Sequence, residues 1–318
     1  MPFQTLGVHH VTAIAGEAQA NLDFYAGVLG LRLVKRTVNF DDPATYHFYF
    51  GDATGQPGSL LTFFPWAGMP RGRPGPGQVT RVSFSVPAVS LPWWERRLAE
   101  RGVAAVRADE RTLTFEDPDG LALALVADDA GRPATLDGAW LGGVVPAEHV
   151  PRGLHGVTIE VARAERTIEL LSAALGFRRA SGNGTSHVLD TPAGGRGSRV
   201  EVLERPGSPP GRMGAGTVHH VAWRARGDAE QNAWREALGQ RGLMVTPVQD
   251  RCYFRSIYFR EPGGVLYEIA TDPPGFTIDE SAAELGGSLK LPPWLESGRR
   301  SIERSLPPIR LPHEARVS

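Results

Sequence analysis

Two adjacent histidine pairs are the first feature of this sequence that could do chemistry. His9 and His10 lie in the apolar run GVHHVTAIA, and His219 and His220 lie in the similar run TVHHVAWRA. Glu268 interrupts the apolar run GGVLYEIA, where a carboxylate is costly unless it is paired or binds a metal. Two imidazoles and one carboxylate on one face of an ion leave adjacent positions open and suit non-haem Fe(II). These residue types therefore predict a metal site.

The alternation of side chains along a β-strand predicts that one histidine of each pair faces the metal. Successive side chains in a strand point to opposite faces, so two neighbouring imidazoles would not share one cavity. Alignment of similar runs within the chain gives two registers, with His9, His155 and His219 in one and His10, Gly156 and His220 in the other. The polarity of the neighbouring residues does not decide between these registers, so the residues alone leave the choice open.

Internal repeats divide the chain into four similar modules. The run GVHHVTAIA, a helical segment and LGLRLVKR are matched later by GLHGVTIEV, a helical segment and LGFRRA, while PWWERRLAERGV is matched by NAWREALGQRGL. In each module the periodicity predicts a strand, a helix and short strands separated by Gly and Pro. A β-α-β-β-β unit of roughly 50 to 60 residues is too small to be secure alone. We therefore predict an α+β fold of four βαβββ modules in two tandem domains.

The predicted domain boundaries follow Gly- and Pro-rich stretches. Modules one and two would form an N-terminal domain over residues 1–130, and modules three and four a C-terminal domain over residues 153–272. Residues 131–152 would link these domains, and residues 273–318 would form a Pro-rich C-terminal tail. A chain of 318 residues agrees with two domains of ordinary size.

Composition and charge exclude several classes of function. No apolar run approaches the ~20 residues that a membrane span needs. The formal net charge of -1 provides no field for collecting nucleic acid. The single cysteine, Cys252, excludes an intramolecular disulfide, and the N-terminus lacks the pattern of a secretory signal. These features predict a cytoplasmic protein with a small-molecule partner and neither nucleic acid nor membrane as partner, and a homo-oligomer stays open.

Several motifs resemble the vicinal oxygen chelate superfamily, which includes glyoxalases, bleomycin-resistance proteins and extradiol dioxygenases. The repeated modules, FYAGVLGLRL and the HHV strand starts resemble the superfamily as a whole. YHFYFGDATGQPG, DRCYFRSIYFREPGGVLYE and GFTIDE are similar to its ring-cleaving dioxygenases of the hydroquinone 1,2-dioxygenase type, and the similarity extends to about residue 280. The resemblance implies the vicinal oxygen chelate fold and an enzyme of aromatic compound degradation, which inserts both atoms of O2 into a hydroquinone-like substrate.

The resemblance also implies which residues bind the metal. In the family the ligand is the histidine followed directly by an apolar residue, which selects His10 and His220, with Glu268 as the third ligand. The implied cofactor is Fe(II), with Mn(II) as an alternative. Many two-domain relatives take all three ligands from the second domain, which here would use His155 in place of His10. The register favours His10, since Gly156 stands at the ligand position of module three, and His10 would bring modules one and four together.

Five further residues are implied around the metal. The resemblance assigns Tyr258 as a phenolic donor near the substrate and Arg251 as a charge for phenolate or peroxide. Their odd separation would place them on opposite faces of one unbroken strand, so we expect a bulge or loop between them. Thr12 shares the parity of the ligand histidine in its strand and would line the cavity. His9 and His219 would orient the neighbouring strands.

Three classes of function stay open. One is the Fe(II) ring-cleaving dioxygenase, and the second is another metalloenzyme on the same scaffold, either a catechol extradiol dioxygenase or a glyoxalase-like isomerase. Such an isomerase requires a fourth protein ligand to the metal, and module one has no carboxylate to supply it in its last strand. The third is a non-catalytic small-molecule binding protein, which needs an aromatic groove and no metal. His47, in YHFYF, is interpreted as a packing residue beside the cavity.

Overall fold

Four βαβββ modules follow one another along the chain, as the internal repeats predict. The structure is a computed structural model that describes residues 4–128 and 138–311. The first part of the predicted linker 131–152 and the last residues of the predicted tail 273–318 lie outside the described residues. Within the described ranges, no helix is long and apolar enough to cross a membrane.

Each module contains a long first strand, one helix and three further strands. Module one consists of β1 Val8–Ala15, α1 Ala18–Leu22, β2 Arg32–Asn39, β3 Asp42–Gly51 and β4 Leu60–Pro65. Module two consists of β5 Gln78–Val86, α2 Leu91–Glu100, β6 Ala105–Asp109, β7 Thr112–Glu116 and β8 Ala122–Ala127. Module three consists of β9 Leu154–Val161, α3 Glu165–Ala173, β10 Arg178–Asn183, β11 Ser186–Asp190 and β12 Arg199–Glu204. Module four consists of β13 Thr217–Ala225, α4 Asp228–Gln240, β14 Gln249–Asp250, β15 Arg255–Arg260 and β16 Leu266–Thr271.

Short helical segments complete the described chain. The helix α1 continues into a π-helical stretch over Asp23–Val28, before the glycine that ends the segment. Single 3₁₀ turns occupy Ala88–Ser90, Phe276–Ile278 and Glu296–Gly298. The tail ends its described part with the helix α5, Arg299–Ser305.

Two eight-stranded sheets combine the modules in an order that differs from their order in the chain. The outer-module sheet joins modules one and four in the order β14-β15-β16-β13-β1-β4-β3-β2, and the inner-module sheet joins modules two and three in the order β10-β11-β12-β9-β5-β8-β7-β6. β1 pairs antiparallel with β13, so the predicted contact between modules one and four is confirmed. The residue bounds of the two predicted domains stay a prediction, since each sheet draws strands from both halves of the chain.

The two faces of the outer-module sheet carry different residues. Val11 and Phe63 on one face belong to the main hydrophobic core, together with Leu22 of α1. Leu60 and Ala222 on the other face belong to a smaller apolar cluster, which lies among polar side chains. Because side chains alternate along each strand, the same strands supply a core face and a second face that is available for a site.

Two β-bulges interrupt this alternation at the doubled histidines. In the pairing of β1 with β13, the register skips His9 on one strand and His219 on the other. A bulge residue is free of strict alternation, because it has no partner directly opposite. The expectation that only one histidine of each pair faces the cavity is therefore wrong for His219 and His220, which both line it. Of the first pair only His10 lines the cavity, as expected, and His9 contacts His10.

The tail packs on the second face of the outer-module sheet and is fixed there by a buried lysine. Lys35 of β2 is fully buried and forms ion pairs with Asp279, at 2.5 Å, and with Glu280. Phe276 of the tail packs against Tyr49 of β3, with ring centroids 5.1 Å apart. The tail is therefore part of the structure around the site.

We predict that Lys35→Met lowers the free energy of unfolding by about 3 kcal/mol or more, because it leaves a buried carboxylate without its cation. Denaturant or thermal unfolding would measure the change. Lys290→Met is the control, since Lys290 is half-buried in the same tail and its loss should change stability by about 0.5 kcal/mol or less. Equal stabilities of the two variants would contradict the role of Lys35.

Candidate metal centre

Three side chains from neighbouring strands converge at the centre of the outer-module sheet. His10 of β1 and His220 of β13 bring their Nε2 atoms to 3.3 Å from each other. Glu268 of β16 places Oε2 3.4 Å from His10 Nε2 and 2.9 Å from His220 Nε2. All three side chains are buried, and they form the one His, Cys, Asp and Glu cluster of metal-binding geometry within residues 4–128 and 138–311.

The triangle of ligand atoms fits one divalent ion. Ligands bound ~2.1 Å from an ion at right angles to each other lie roughly 3.0 Å apart, and the observed edges run from 2.9 to 3.4 Å. Glu268 Oε1 accepts a hydrogen bond from the Ser256 hydroxyl, whereas Oε2 has no neighbouring donor among the described residues other than the Nε2 atoms of His10 and His220. When both imidazoles carry their proton on Nδ1, this buried carboxylate oxygen has no donor, and a cation between the three atoms would satisfy it.

The protonation states of the three residues also suit a metal. Burial by itself raises the pKa of the Glu268 carboxyl, but the adjacent His10 and His220 imidazoles hold that pKa well below its usual range. Burial lowers the pKa of His220. The site therefore presents an ionised carboxylate and a neutral imidazole with a free nitrogen lone pair, the forms in which these groups bind metals.

Each of the two ligand histidines is oriented by the bulge histidine next to it. His10 Nδ1 lies 3.0 Å from His9 Nδ1, and His220 Nδ1 lies 2.8 Å from His219 Nδ1. Burial lowers the pKa of His9 well below its usual value and that of His219 to about 3, so both bulge histidines are neutral. A ligand imidazole that binds through Nε2 donates its Nδ1–H, and here the neighbour's Nδ1 accepts it.

Tyr258 and Arg251 lie beside the carboxylate. Tyr258 pairs directly across from Glu268 in β15 and β16, and Arg251 Nε donates to the Tyr258 hydroxyl oxygen at 3.2 Å. The Arg251 guanidinium also contacts Asp41 Oδ2 at 3.2 Å. Burial, and then the negative charge of Glu268, raise the pKa of Tyr258 above its usual value. Tyr258 is therefore a neutral phenol that keeps a hydrogen to donate.

The loop expected between Arg251 and Tyr258 is present. β14 ends at Asp250 and β15 begins at Arg255, with the loop between them. Cys252 in this loop has a φ of 65°, in the left-handed region that residues other than glycine adopt rarely. The loop breaks the strand alternation and allows two residues of odd separation to meet.

A cavity of about 410 Å³ opens in front of the three ligand atoms. Its volume is within the range of small-molecule sites. Phe64, Trp66 and Phe254 supply aromatic walls, while Arg251 and Tyr258 supply polar ones.

Thr12 lies behind the cavity wall rather than in it. It is fully buried, and its hydroxyl oxygen lies 2.8 Å from that of Thr62 on the neighbouring strand β4. Of the residues implied around the metal, the structure thus brings Tyr258, Arg251 and His219 into the cavity. His9 contacts the ligand His10 from one side.

The inner-module sheet contains a companion position that is closed by an ion pair. Glu201 accepts hydrogen bonds from Arg81, at 2.8 Å on Oε2, and from Ser186, at 3.0 Å on Oε1. A Cβ added to Gly156 would lie 2.1 Å from the Arg199 carbonyl oxygen, so no histidine fits there. The Arg81 guanidinium thus stands in this sheet where a metal would stand in the other.

Comparison with known proteins agrees with this architecture. A family described as Glyoxalase/Bleomycin resistance protein/Dioxygenase superfamily matches residues 7–125 and 153–269. The chain belongs to the Glyoxalase/Bleomycin resistance protein/Dioxygenase superfamily. Glyoxalase I from Zea mays shares its fold, with a TM-score of 0.61 and 15% identity over 84% of this chain and 92% of that one.

Members of the superfamily with higher identity cover nearly the whole chain. "Putative ring-cleaving dioxygenase MhqO" of Bacillus subtilis is 45% identical, over 97% of this chain and 98% of its own length. "Chlorohydroquinone/hydroquinone 1,2-dioxygenase" of Sphingobium indicum is 35% identical, over 96% of this chain and 97% of its own length. A crystal structure of a "putative dioxygenase" from Bacillus subtilis superposes with a TM-score of 0.91 at 44% identity, over 97% of this chain and 99% of that one. The vicinal oxygen chelate fold expected for this chain is thereby confirmed.

Sequence reasoning missed Tyr49 as a residue of this site, and it placed His47 beside the cavity only as a packing residue. His47 and Tyr49 of β3 line the cavity, and the Tyr49 hydroxyl oxygen lies 2.9 Å from His47 Nδ1. The motif YHFYF suggests aromatic packing, and it carries no signal for a hydrogen bond between residues two apart. Alignment of β3 with β15 as equivalent strands of two modules would have found Tyr49, since Tyr258 is at the matching place.

Proposed function

We propose that the chain is an Fe(II)-dependent ring-cleaving dioxygenase that acts on hydroquinone-like phenols with O2. The convergence of His10, His220 and Glu268 beside Tyr258 and Arg251 carries this proposal. The relatives named as dioxygenases support the reaction, and the one named for hydroquinones supports the substrate class. Bound Fe(II), or Mn(II) with the same ligands, would supply open coordination positions for a phenolic oxygen and O2 and the electrons exchanged between them.

The residues around the ligands would stabilise negative charge and hold a proton near the reacting molecule. A phenol that loses its proton near the three ligands becomes an anion, and the fixed cation of Arg251 stabilises negative charge on this side of the cavity. Arg251 donates to the Tyr258 oxygen, which leaves the Tyr258 O–H free to donate to an anionic oxygen of the reacting molecule. Tyr258 would therefore hold a proton at its hydroxyl oxygen while Arg251 fixes the orientation of that group.

The aromatic walls would hold the ring and exclude water. Phe64 packs against Trp66, with ring centroids 5.3 Å apart, and Trp66 Nε1 donates to Asp42 Oδ2 at 2.8 Å. Phe254 contacts His10 on the other side, with ring centroids 5.0 Å apart. Apolar faces on both sides favour a flat aromatic substrate and lower the local polarity, which strengthens the hydrogen bonds made by the polar groups.

Thr62 argues against a glyoxalase-like isomerase. Thr62 lies opposite Thr12 in the parallel pair β1 and β4, as Glu268 lies opposite Ala222 in the parallel pair β13 and β16. A fourth carboxylate ligand from module one would occupy this position, and a threonine hydroxyl stands there instead. The ligand set thus remains at three protein residues, which leaves room for substrate and O2 together.

Anaerobic loading with Fe(II), followed by O2 uptake and ultraviolet product spectra, tests the proposal. We expect one O2 consumed per ring cleaved with hydroquinones, and slower uptake with catechols. O2 consumption that yields a quinone instead of a ring-opened product would contradict ring cleavage. Faster cleavage of catechols would reassign the substrate class.

We predict that Tyr258→Phe lowers turnover by ~10²-fold without loss of metal, because it removes a positioned proton donor. Turnover and metal content would be measured on the same preparation. Tyr267→Phe is the matched control, since it removes a buried hydroxyl from the core face of the neighbouring strand. Unchanged turnover in Tyr258→Phe would remove Tyr258 from the reaction.

A further inference from the structure

Modules one and four place equivalent tyrosines on the two sides of the ligand cluster. Tyr258 of β15 lies directly across from Glu268 of β16. Tyr49 of β3 lies in the same way across from Thr62 of β4. Thr62 and Glu268 themselves occupy matching positions in their modules, so Tyr49 is the module-one counterpart of Tyr258. Both tyrosines line the cavity.

A continuous set of hydrogen bonds through His47, Thr62 and Thr12 fixes the Tyr49 hydroxyl. The Tyr49 hydroxyl oxygen lies 2.9 Å from His47 Nδ1, and His47 Nε2 lies 2.9 Å from Thr62 Oγ1. Thr62 Oγ1 in turn lies 2.8 Å from Thr12 Oγ1, which is fully buried. The two His47 nitrogens are thereby held between two hydroxyls, so the imidazole and the phenol are positioned as one unit.

The pair is uncharged and lies in β3, which is separated from β1 by the strand β4. In the order β1-β4-β3, the strand that carries the pair is two strands away from β1, roughly 10 Å at the usual strand spacing. Burial, and then the nearby Tyr258, raise the pKa of Tyr49 well above its usual value. Burial lowers the pKa of His47 well below its usual value. Neutral donors and acceptors of this kind suit a hydroxyl rather than a carboxylate.

We propose that Tyr49, positioned by His47, binds the second hydroxyl of an aromatic diol, the one that points away from the metal ligands. This inference rests on the proposed function, because it takes the first hydroxyl to lie at the ligand cluster. A 1,4-diol presents its second oxygen across the ring from the first, whereas a 1,2-diol presents both on one side. Tyr49 is therefore a specificity-determining residue, and His47 a positioning residue for it, which together favour hydroquinones over catechols and over phenols without a second hydroxyl.

Equilibrium binding to the anaerobic Fe(II)-loaded protein tests this inference without turnover. The probes are hydroquinone, catechol and phenol, and the proteins are wild type, Tyr49→Phe, His47→Gln and the double variant. We expect each single variant to weaken hydroquinone binding roughly tenfold, the effect of one lost hydrogen bond, with catechol and phenol binding unchanged. The double variant should be little weaker than either single one, because the two residues act as a unit.

Tyr46→Phe is the matched control, since it removes a hydroxyl from the same strand β3 but from the face that belongs to the main core. Metal content is measured for every variant. An unchanged ratio of hydroquinone to phenol affinity in Tyr49→Phe, with the metal retained, overturns the inference. If His47→Gln loses its metal, the result for Tyr49→Phe alone decides. Absence of ring cleavage by the wild type would overturn the proposed function instead, and the affinity ratio is measured independently of it.

Discussion

His10→Ala should lose both the bound metal and the activity, whereas His155→Ala should keep both. His10 supplies one of the three converging ligand atoms, 3.3 Å from His220 Nε2. His155 is skipped in the pairing of β5 with β9 and lies near Asp128, at 3.5 Å, in the inner-module sheet. Loss of one of three protein ligands removes most of the binding free energy for the metal, so O2 uptake should fall to the rate without enzyme.

Metal content per chain and O2 uptake with hydroquinone would be measured for both variants. Wild-type protein should bind one ion per chain, because the companion position around Glu201 is closed by Arg81. The reverse result, with metal lost from His155→Ala and retained in His10→Ala, would refute the pairing of modules one and four at the metal. Two tightly bound ions per wild-type chain would refute the single site.

Removal of the metal by a chelator should abolish O2 uptake, and Fe(II) with ascorbate should restore it. A metal that binds only the native state stabilises it, so the midpoint of thermal unfolding should fall in the apo protein as well. Zn(II) should raise that midpoint again without restoring O2 uptake, because zinc has no redox chemistry.

Hydrogen peroxide should inactivate the Fe(II) protein in the same reversible way, since iron with open positions is easily oxidised. Unfolding midpoint and O2 uptake would be followed in parallel on each form. Activity that survives chelation to an undetectable metal content would remove the metal from the reaction. Full O2 uptake with Zn(II) would contradict a redox role for the metal, because zinc has no redox chemistry.

Much of the fold and the ligand set follows from local patterns in the sequence. The repeated strand starts make the four modules visible, and Gly156 at the ligand position of module three favours His10 over His155. A carboxylate in an apolar strand identifies Glu268, because burial without a partner would be costly. Each of these inferences depends on neighbouring residues or on comparison of one module with another.

Features that depend on strand pairing could not be predicted in this way. The bulges that place His219 in the cavity result from the register of β1 against β13. These two strands belong to the first and the last module of the chain. The ion pairs of Lys35 with the tail span more than two hundred positions. The bonding of His47 to Thr62 requires β3 and β4 to be adjacent. These contacts depend on which strands pair in the folded protein, and local sequence patterns do not predict that pairing.

The sheet that joins modules one and four also dictates when the site can be assembled during biosynthesis. Modules two and three are consecutive in the chain, so the inner-module sheet can pair as soon as β12 has left the ribosome. β1 must wait for β13 and β16, which at usual rates of translation takes on the order of ten seconds or more. β1 therefore has only its partner β4 until module four has been synthesised, and the three metal ligands can meet only after that.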